Sequence, residues 1–221
     1  MKYLSLQRKK LEDLKSEYEK KYKEFKSFGL KLDMSRGKPS TEQLDLSIKL
    51  LDVINSSSNF CTKGGFDCRN YGLLDGIPEA KELFANLLGV KATNIFVGGN
   101  SSLNLMFDTI SHFMFHGIND EKPWIKQEKV KFLCPSPGYD RHFAILDYFN
   151  IEPIVVPMTE FGPNMEIVEE NLAKDESIKG IWCVPKYANP TGASYSNETV
   201  RRLAALRPKA KDLESFGIMH I

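Results

Sequence analysis

The sequence predicts an α/β fold with a largely parallel sheet covered by helices on both faces. Short apolar segments at residues 95–97, 130–134, 154–157 and 178–185 have the length and composition of buried strands. Segments with helical spacing of their apolar residues separate them, and this alternation is typical of parallel sheets. Ligands of such sheets bind at the carboxyl ends of the strands.

The helices are predicted from apolar spacing and from their end signals. A charged amphipathic helix is expected over residues 5–28, with Gly29 as its carboxyl-terminal cap, and another between Pro78 and Gly89. Further helices are expected at residues 45–53, 102–115, 140–149, 165–173 and 198–206.

Composition excludes several classes of protein. The chain has 221 residues and a net charge of +1, with 30 basic and 29 acidic residues, which argues against a nucleic-acid-binding role. It shows no signal peptide and no run of about 20 apolar residues, so we expect a cytoplasmic protein with no membrane contact. The four cysteines contain no Cys-x-x-Cys pair and are interpreted as buried or idle thiols.

Three loops fall at the predicted carboxyl edge of the sheet, at residues 98–102, 135–142 and 187–192. The first places small residues and two hydroxyls, Ser101 and Ser102, before a helix, where free backbone N–H groups favour a phosphate. The same turn could simply cap that helix. Three loops at one edge nevertheless predict a ligand pocket.

Four stretches, in this order, carry a resemblance to a known family. They are Tyr71-Gly72 with Gly76 and Pro78; Gly99-Asn100-Ser101-Ser102; Pro137-Gly138-Tyr139 with Arg141-His142; and Asn189-Pro190-Thr191-Gly192. Over residues 20–212 the chain resembles the N-terminal half of a pyridoxal-phosphate (PLP) enzyme of aminotransferase class I/II, fold type I, in the aspartate aminotransferase-like branch.

The resemblance implies a domain organisation. Residues 51–212 would form an incomplete large domain of the PLP-transferase fold type I. Residues 1–50 would supply an N-terminal helix and a substrate-side loop that belong to the small domain.

The resemblance also implies roles for individual residues. Asn100, Ser101 and Ser102 would hold the cofactor phosphate, Tyr139 would stack on the pyridine ring, and Asn189 would donate its amide N–H to the ring's phenolic oxygen. Tyr139 could equally be a half-buried aromatic residue, and Asn189-Pro190 a turn.

Three further residues are assigned on the same basis. Tyr71 would reach the phosphate of the neighbouring subunit in a homodimer, or would only pack there. Arg36 and Gly37 would lie in a loop over the substrate, although a plain surface connection is an equal alternative on the sequence alone.

No catalytic residue of the family is found in the sequence. The family uses a lysine beside a serine for the Schiff base and an Asp-x-Ala-Tyr-like carboxylate for the pyridinium nitrogen, and the chain has no Ser-Lys dipeptide. Lys186 precedes Asn189 at a strand end and is not assigned this role. His112, His116 and His142 have no carboxylate or cysteine at ligand spacing, so no metal site is expected.

Residues 213–221 are predicted to be an out-of-frame tail. A DNA sequence that encodes these residues can be written so that one base added at its start shifts the reading frame. The translation is then Phe-Arg-Ile-Phe-Trp-Asp-Asn-Ala-Tyr, an apolar strand that ends in the family's motif. We therefore expect a longer gene from which one base has been lost, and sequencing of the coding DNA tests this.

The functional expectation is a truncated PLP-dependent aminotransferase. The intact protein would be a homodimer that moves an amino group from an amino acid to a 2-oxo acid, whereas this chain would be inactive without the lysine. The alternatives are a non-catalytic binding or regulatory module of this fold, or a PLP lyase or decarboxylase.

Overall fold

The computed structural model describes residues 3–32 and 37–219, with the backbone alone for residues 214–219. Two compact units are present. The first contains residues 1–61 and 67–69, and the second contains residues 62–66 and 70–221.

The first unit begins with helix α1, Arg8–Ser27, which is followed by Phe28 and by Gly29 at a φ of 63°. This confirms the predicted helix and its glycine terminator. The helix expected at residues 45–53 is wrong in its bounds, because α2 spans Thr41–Asp45 and a separate 3₁₀ turn spans Ile48–Asp52. The earlier start has a local cause, since Ser40 and Gln43 form a reciprocal capping box.

The second unit alternates helices and strands. Its helices are α3 (Pro78–Leu88), α4 (Ser102–His116), α5 (Asp140–Tyr148), α6 (Met165–Lys174) and α7 (Asn197–Ala204). Its strands are β1 (Lys131–Ser136), β2 (Glu152–Thr159), β3 (Gly162–Pro163), β4 (Ile178–Lys186) and β5 (Glu214–Met219). Each helix expected in this unit is confirmed to within one or two residues at its ends.

The five strands form one sheet in the order β3-β2-β1-β4-β5. β1 pairs in parallel with β2 and with β4, and β4 pairs in parallel with β5, whereas the short β3 runs antiparallel to β2. The largely parallel sheet is therefore confirmed. The segment predicted to be an out-of-frame tail supplies β5, and its origin stays a prediction about the coding DNA.

One predicted strand is wrong. Residues 95–97 are extended, but they pair with none of the described strands, and Phe96 is 69% exposed. The backbone N–H of Val97 instead donates to the carbonyl of Asp75 at 3.0 Å. The apolar run was interpreted as a buried strand because composition alone cannot show whether a neighbouring strand is present to pair with it.

Helices cover both faces of the sheet, as predicted. On one face, α4 and α5 pack with Trp124 against the side chains of Phe132 and Trp182. On the other face, α6 packs against Leu133, Val156 and Ile181, with Leu203 of α7 at its margin. The two helical layers cover the faces of the sheet, and the connecting loops lie at the carboxyl edge of the strands.

The contact between β1 and β4 depends on a glycine. Phe132 is fully buried and lies opposite Gly180 in the strand register. A Cβ atom at Gly180 would come within 2.0 Å of the Phe132 ring. The missing side chain of Gly180 therefore provides the space in which the phenyl ring packs.

A buried carboxylate lies at the opposite, amino end of the same strands. Asp212 is 2% exposed and accepts hydrogen bonds from Lys179 Nζ (2.7 Å), Trp124 Nε1 (3.1 Å) and Gln127 Nε2 (3.0 Å). Burial alone would raise the pKa of Asp212, but the hydrogen bonds from Lys179 and Gln127 outweigh it and hold that pKa below its ordinary value.

We expect Gly180→Ala to destabilise the second unit by about 1–3 kcal/mol, because the new methyl group overlaps the Phe132 ring. The free energy of unfolding in urea measures this loss. Gly64→Ala is the control, since the nearest atom to its new Cβ is at 3.8 Å. Equal stability of the two variants would contradict the packing role of Gly180.

We expect Asp212→Ala to lower the free energy of unfolding by about 3–5 kcal/mol near neutral pH, because Lys179 is left buried without its partner. Glu176→Ala removes the exposed pair with Lys209, at 3.8 Å, and should cost under about 1 kcal/mol.

The Asp212 contribution also has a pH dependence. Its folded-state pKa is lowered, so the contribution is complete above the unfolded-state pKa of about 3.9 and disappears as the pH falls through the lower, folded-state value. The difference between the wild type and Asp212→Ala should therefore shrink below about pH 4. A difference that grows on acidification would contradict the assignment.

Candidate functional site

The loop after β1 turns tightly into helix α5. The turn contains Gly138, where a Cβ atom would lie 2.3 Å from the carbonyl oxygen of Pro135, so that only glycine fits. Tyr139 is the residue before α5, and its carbonyl accepts a hydrogen bond from the His142 N–H at 3.1 Å. The turn thereby fixes Tyr139 at the carboxyl edge of β1.

The loop after β4 is closed by its own backbone. Ala188 N–H donates to the carbonyl of Ala193 at 2.9 Å, and Gly192 N–H donates to the carbonyl of Ala188 at 2.5 Å. Gly192 adopts a φ of 72°, which favours glycine. Asn189 lies in this closed loop with its side chain exposed.

The two loops meet around one small cavity. Its volume is about 10 Å³, the space of about one water molecule, and its lining includes Tyr139, His142 and Asn189, together with buried Trp182 and Val184 of β4 and buried Ala188 of the loop that follows. The structure therefore brings together the two residues that the resemblance assigned to the pyridine ring, Tyr139 and Asn189. Their proximity follows from the parallel pairing of β1 and β4, which brings both strand ends to the same edge.

His142 is a part of this cavity that the sequence analysis did not assign. It is 4% exposed, its ring stacks on Trp182 at 5.1 Å with 17° between the planes, and the Tyr139 ring lies edge-on at 5.6 Å. Burial lowers the pKa of His142 to about 4, with Asp140 acting weakly against it, so the ring is neutral near pH 7.

The Nε2 atom of His142 has no hydrogen-bond partner in the protein. A buried polar atom of this kind, beside a cavity, is available to a group bound there. The position of His142, one helical turn after Tyr139, was the signal that could have placed it beside this cavity. Its contact with Trp182 had no signal in the sequence, because Trp182 lies on a separate strand.

The amino end of α4 contains the three residues assigned to a phosphate. Ser101 is the N-cap, and its Oγ accepts from Asn104 N at 3.3 Å, so the capping interpretation holds for this residue. Ser102 opens the helix and is exposed, as is Asn100. The first turn of a helix of 15 residues here presents N–H groups beside two hydroxyls.

A groove lies between α4 and α5. Asn104 and Asp108 line it from α4, while Arg141 and Tyr148 line it from α5. Asn104 lies in the first turn of α4 and Arg141 in the first turn of α5. The two helix starts therefore border a common groove.

The segment that follows Tyr71 lies beside Val97, which precedes the loop at residues 98–102. A Cβ atom at Gly76 would come within 2.7 Å of the Val97 side chain, and Val97 N–H bonds to Asp75. Tyr71 itself is 92% exposed. The Tyr71 side chain therefore points into solvent, and the residues that follow it, Asp75 and Gly76, contact Val97.

The substrate-side assignments are only partly described. Arg36 lies outside the described residues, and Gly37 is an exposed residue of the first unit. Both stay predictions.

Among residues 3–32 and 37–219, no group of three or more histidine, cysteine or acidic side chains could hold a metal ion. Burial raises the pKa of the Cys134 and Cys183 thiols to about 12, whereas Cys61 and Cys68 are exposed. In the same described part of the chain, no helix combines the length and apolar character needed to cross a bilayer.

The chain matches the family described as aspartate amino-transferase over residues 6–218. Aspartate aminotransferase of Corynebacterium glutamicum is 48% identical over 202 residues, which cover 91% of this chain and 45% of that protein. The chain thus spans about half the length of the curated relatives it matches.

Solved structures agree with this relation. The crystal structure of a Corynebacterium glutamicum aspartate transaminase superposes with a TM-score of 0.82 at 44% identity, over 95% of this chain and 49% of that one. A kynurenine aminotransferase of Pyrococcus horikoshii, solved in complex with PMP, shares the fold alone, with a TM-score of 0.52 at 15% identity over 87% of this chain and 51% of that one. By its sequence and its fold, the chain belongs to the aspartate amino-transferase family.

Proposed function

We propose that this chain supplies the cofactor-holding residues of a PLP-dependent aminotransferase. The observation that supports the proposal is the shared cavity of Tyr139, His142 and Asn189, because an aromatic face, a buried ring nitrogen without a partner and an amide meet there. Family membership supports the same cofactor.

The residues at the amino end of α4 fit a phosphate group. The helix dipole and the free N–H groups of the first turn favour an anion, and the Ser102 hydroxyl is exposed beside them. Gly99 leaves open space, since nothing lies within 4 Å of where its Cβ would be. Asn100, Ser101 and Ser102 would therefore bind the phosphate, while Ser101 also continues to cap the helix.

The side chains around the cavity have the chemistry to hold a flat heteroaromatic ring over its mouth, because the cavity itself, at about 10 Å³, has space for about one water molecule only. Half-buried Tyr139 offers a face for stacking, and the Asn189 amide can donate to an oxygen substituent of the ring. The Nε2 atom of His142 is buried without a partner, which would be costly unless a bound group supplied a hydrogen-bond partner.

PLP supplies an electron sink that weakens bonds at the α-carbon of an amino acid. The residues of this chain would set the position of the cofactor: the helix end would fix its phosphate, Tyr139 would fix the plane of its ring, and Asn189 would hold one edge. The stack on Trp182 holds the His142 ring in place, and burial, which lowers its pKa to about 4, keeps the ring neutral near pH 7.

The wider activity is proposed for the protein in which these residues function. The substrates would be an amino acid and a 2-oxo acid, and the assembly would be a homodimer in which the exposed Tyr71 reaches the partner's phosphate site. Arg36 and Gly37 would lie on the substrate side. The Schiff-base lysine and the carboxylate that the family uses are likewise proposed only for that protein, because this chain spans about half the length of its relatives.

We expect Ser102→Ala to weaken noncovalent PLP binding roughly tenfold or more, because it removes a hydrogen bond to a charged group. Ser102 makes no capping hydrogen bond, so helix α4 should keep its stability. Quenching of tryptophan fluorescence on titration with PLP measures the affinity.

Pyridoxal, which lacks the phosphate, is the matched ligand, and its affinity should not change in Ser102→Ala. Equal weakening of PLP and pyridoxal would remove the phosphate role from this helix end.

We expect Tyr139→Ala to weaken binding of both PLP and pyridoxal roughly five- to tenfold, because the stacking surface is lost. Tyr139→Phe keeps the aromatic face and should bind nearly as well as the wild type. If the Phe variant lost as much affinity as the Ala variant, stacking could not be the contribution of Tyr139.

We further propose that the 221 residues alone hold PLP without covalent chemistry. Lys186 is exposed and precedes the Asn189 loop, and no Ser-Lys pair is present. After addition of PLP and borohydride, peptide mass mapping should find no single lysine labelled stoichiometrically. Stoichiometric labelling of Lys186 would contradict this proposal.

A further inference from the structure

Helix α4 exposes a pair of histidines near its carboxyl end. His112 and His116 are four residues apart, so they lie on the same face one turn apart, and both are exposed. Their ring centres are 4.8 Å apart with 34° between the planes. The two rings are therefore in contact in the folded chain.

This separation is short enough for one ion to bind both rings. Because the side chains are exposed, rotation can bring one nitrogen of each ring to within about 2.0–2.1 Å of a single metal ion.

We propose that His112 and His116 chelate a late first-row divalent ion of the Ni²⁺, Cu²⁺ or Zn²⁺ class, with water in the remaining positions. Imidazole nitrogens suit these ions, and a pair separated by one helical turn is a familiar ligand arrangement. The proposal departs from the expectation of no metal site, which required a carboxylate or cysteine as well and so overlooked a pair made of two histidines.

The position on α4 adds a second favourable term. His116 lies in the last turn of α4, where the helix dipole favours a positive charge. The ion would bind the folded helix, where the two imidazoles are already close, more tightly than the unfolded chain, so it would stabilise the helix whose other end contains Ser101 and Ser102.

The test uses Ni²⁺ alone and the full chain with Cys61→Ser and Cys68→Ser, because the exposed thiols are competing ligands. Isothermal titration calorimetry should show one Ni²⁺ bound per chain, and the midpoint temperature of thermal unfolding should rise with Ni²⁺ concentration. His112→Asn or His116→Asn should each weaken binding roughly tenfold or more, since the second imidazole then no longer binds as an intramolecular ligand.

A matched control keeps two histidines on the same face of α4. Asp108→His with His112→Asn places them at positions 108 and 116, about 12 Å apart along the axis, too far for one ion. This variant should bind as weakly as His112→Asn. Absence of Ni²⁺ binding in the cysteine-free chain, or equal affinity in the control variant, would overturn the proposal.

Discussion

The packing of Phe132 over Gly180 is the constraint on which the candidate site depends. It holds β1 and β4 side by side in parallel, which brings the loops after both strands to one edge. Tyr139 follows one of these strands and Asn189 the other. A larger residue at position 180 would disturb the strand pair that places both side chains beside the same cavity.

A continuous row of ring contacts joins the two ends of this strand pair. The ring centres of Trp124 and Phe132 are 6.1 Å apart, and those of Phe132 and Trp182 are 5.0 Å apart. Trp182 in turn stacks on His142, and His142 contacts Tyr139. At the amino end, Trp124 donates to the buried Asp212 that pairs with Lys179. The charged group at one end and the cavity at the other are thus positioned by the same closely packed aromatic core.

The sequence was sufficient for the helices of the second unit and for three strands, because periodicity and end signals are local properties. It failed at residues 95–97, where strand formation requires a neighbour that composition cannot reveal. Tyr139 and Asn189 were predicted from motifs, and their meeting follows from parallel topology. The burial of His142 and its stack on Trp182 could not be predicted, because these depend on side chains from separate elements. Asp212 was equally hidden, since its partners are 33 to 88 residues away along the chain.

The central claim is that one cofactor joins the amino end of α4 to the cavity of Tyr139 and Asn189. A crystal structure of the chain determined with PLP tests it most directly. We expect the phosphate at Asn100–Ser102, the ring against Tyr139, and Asn189 within hydrogen-bond distance of the ring oxygen. A cofactor bound elsewhere on the chain, or a ring without contact to Tyr139, would contradict the account.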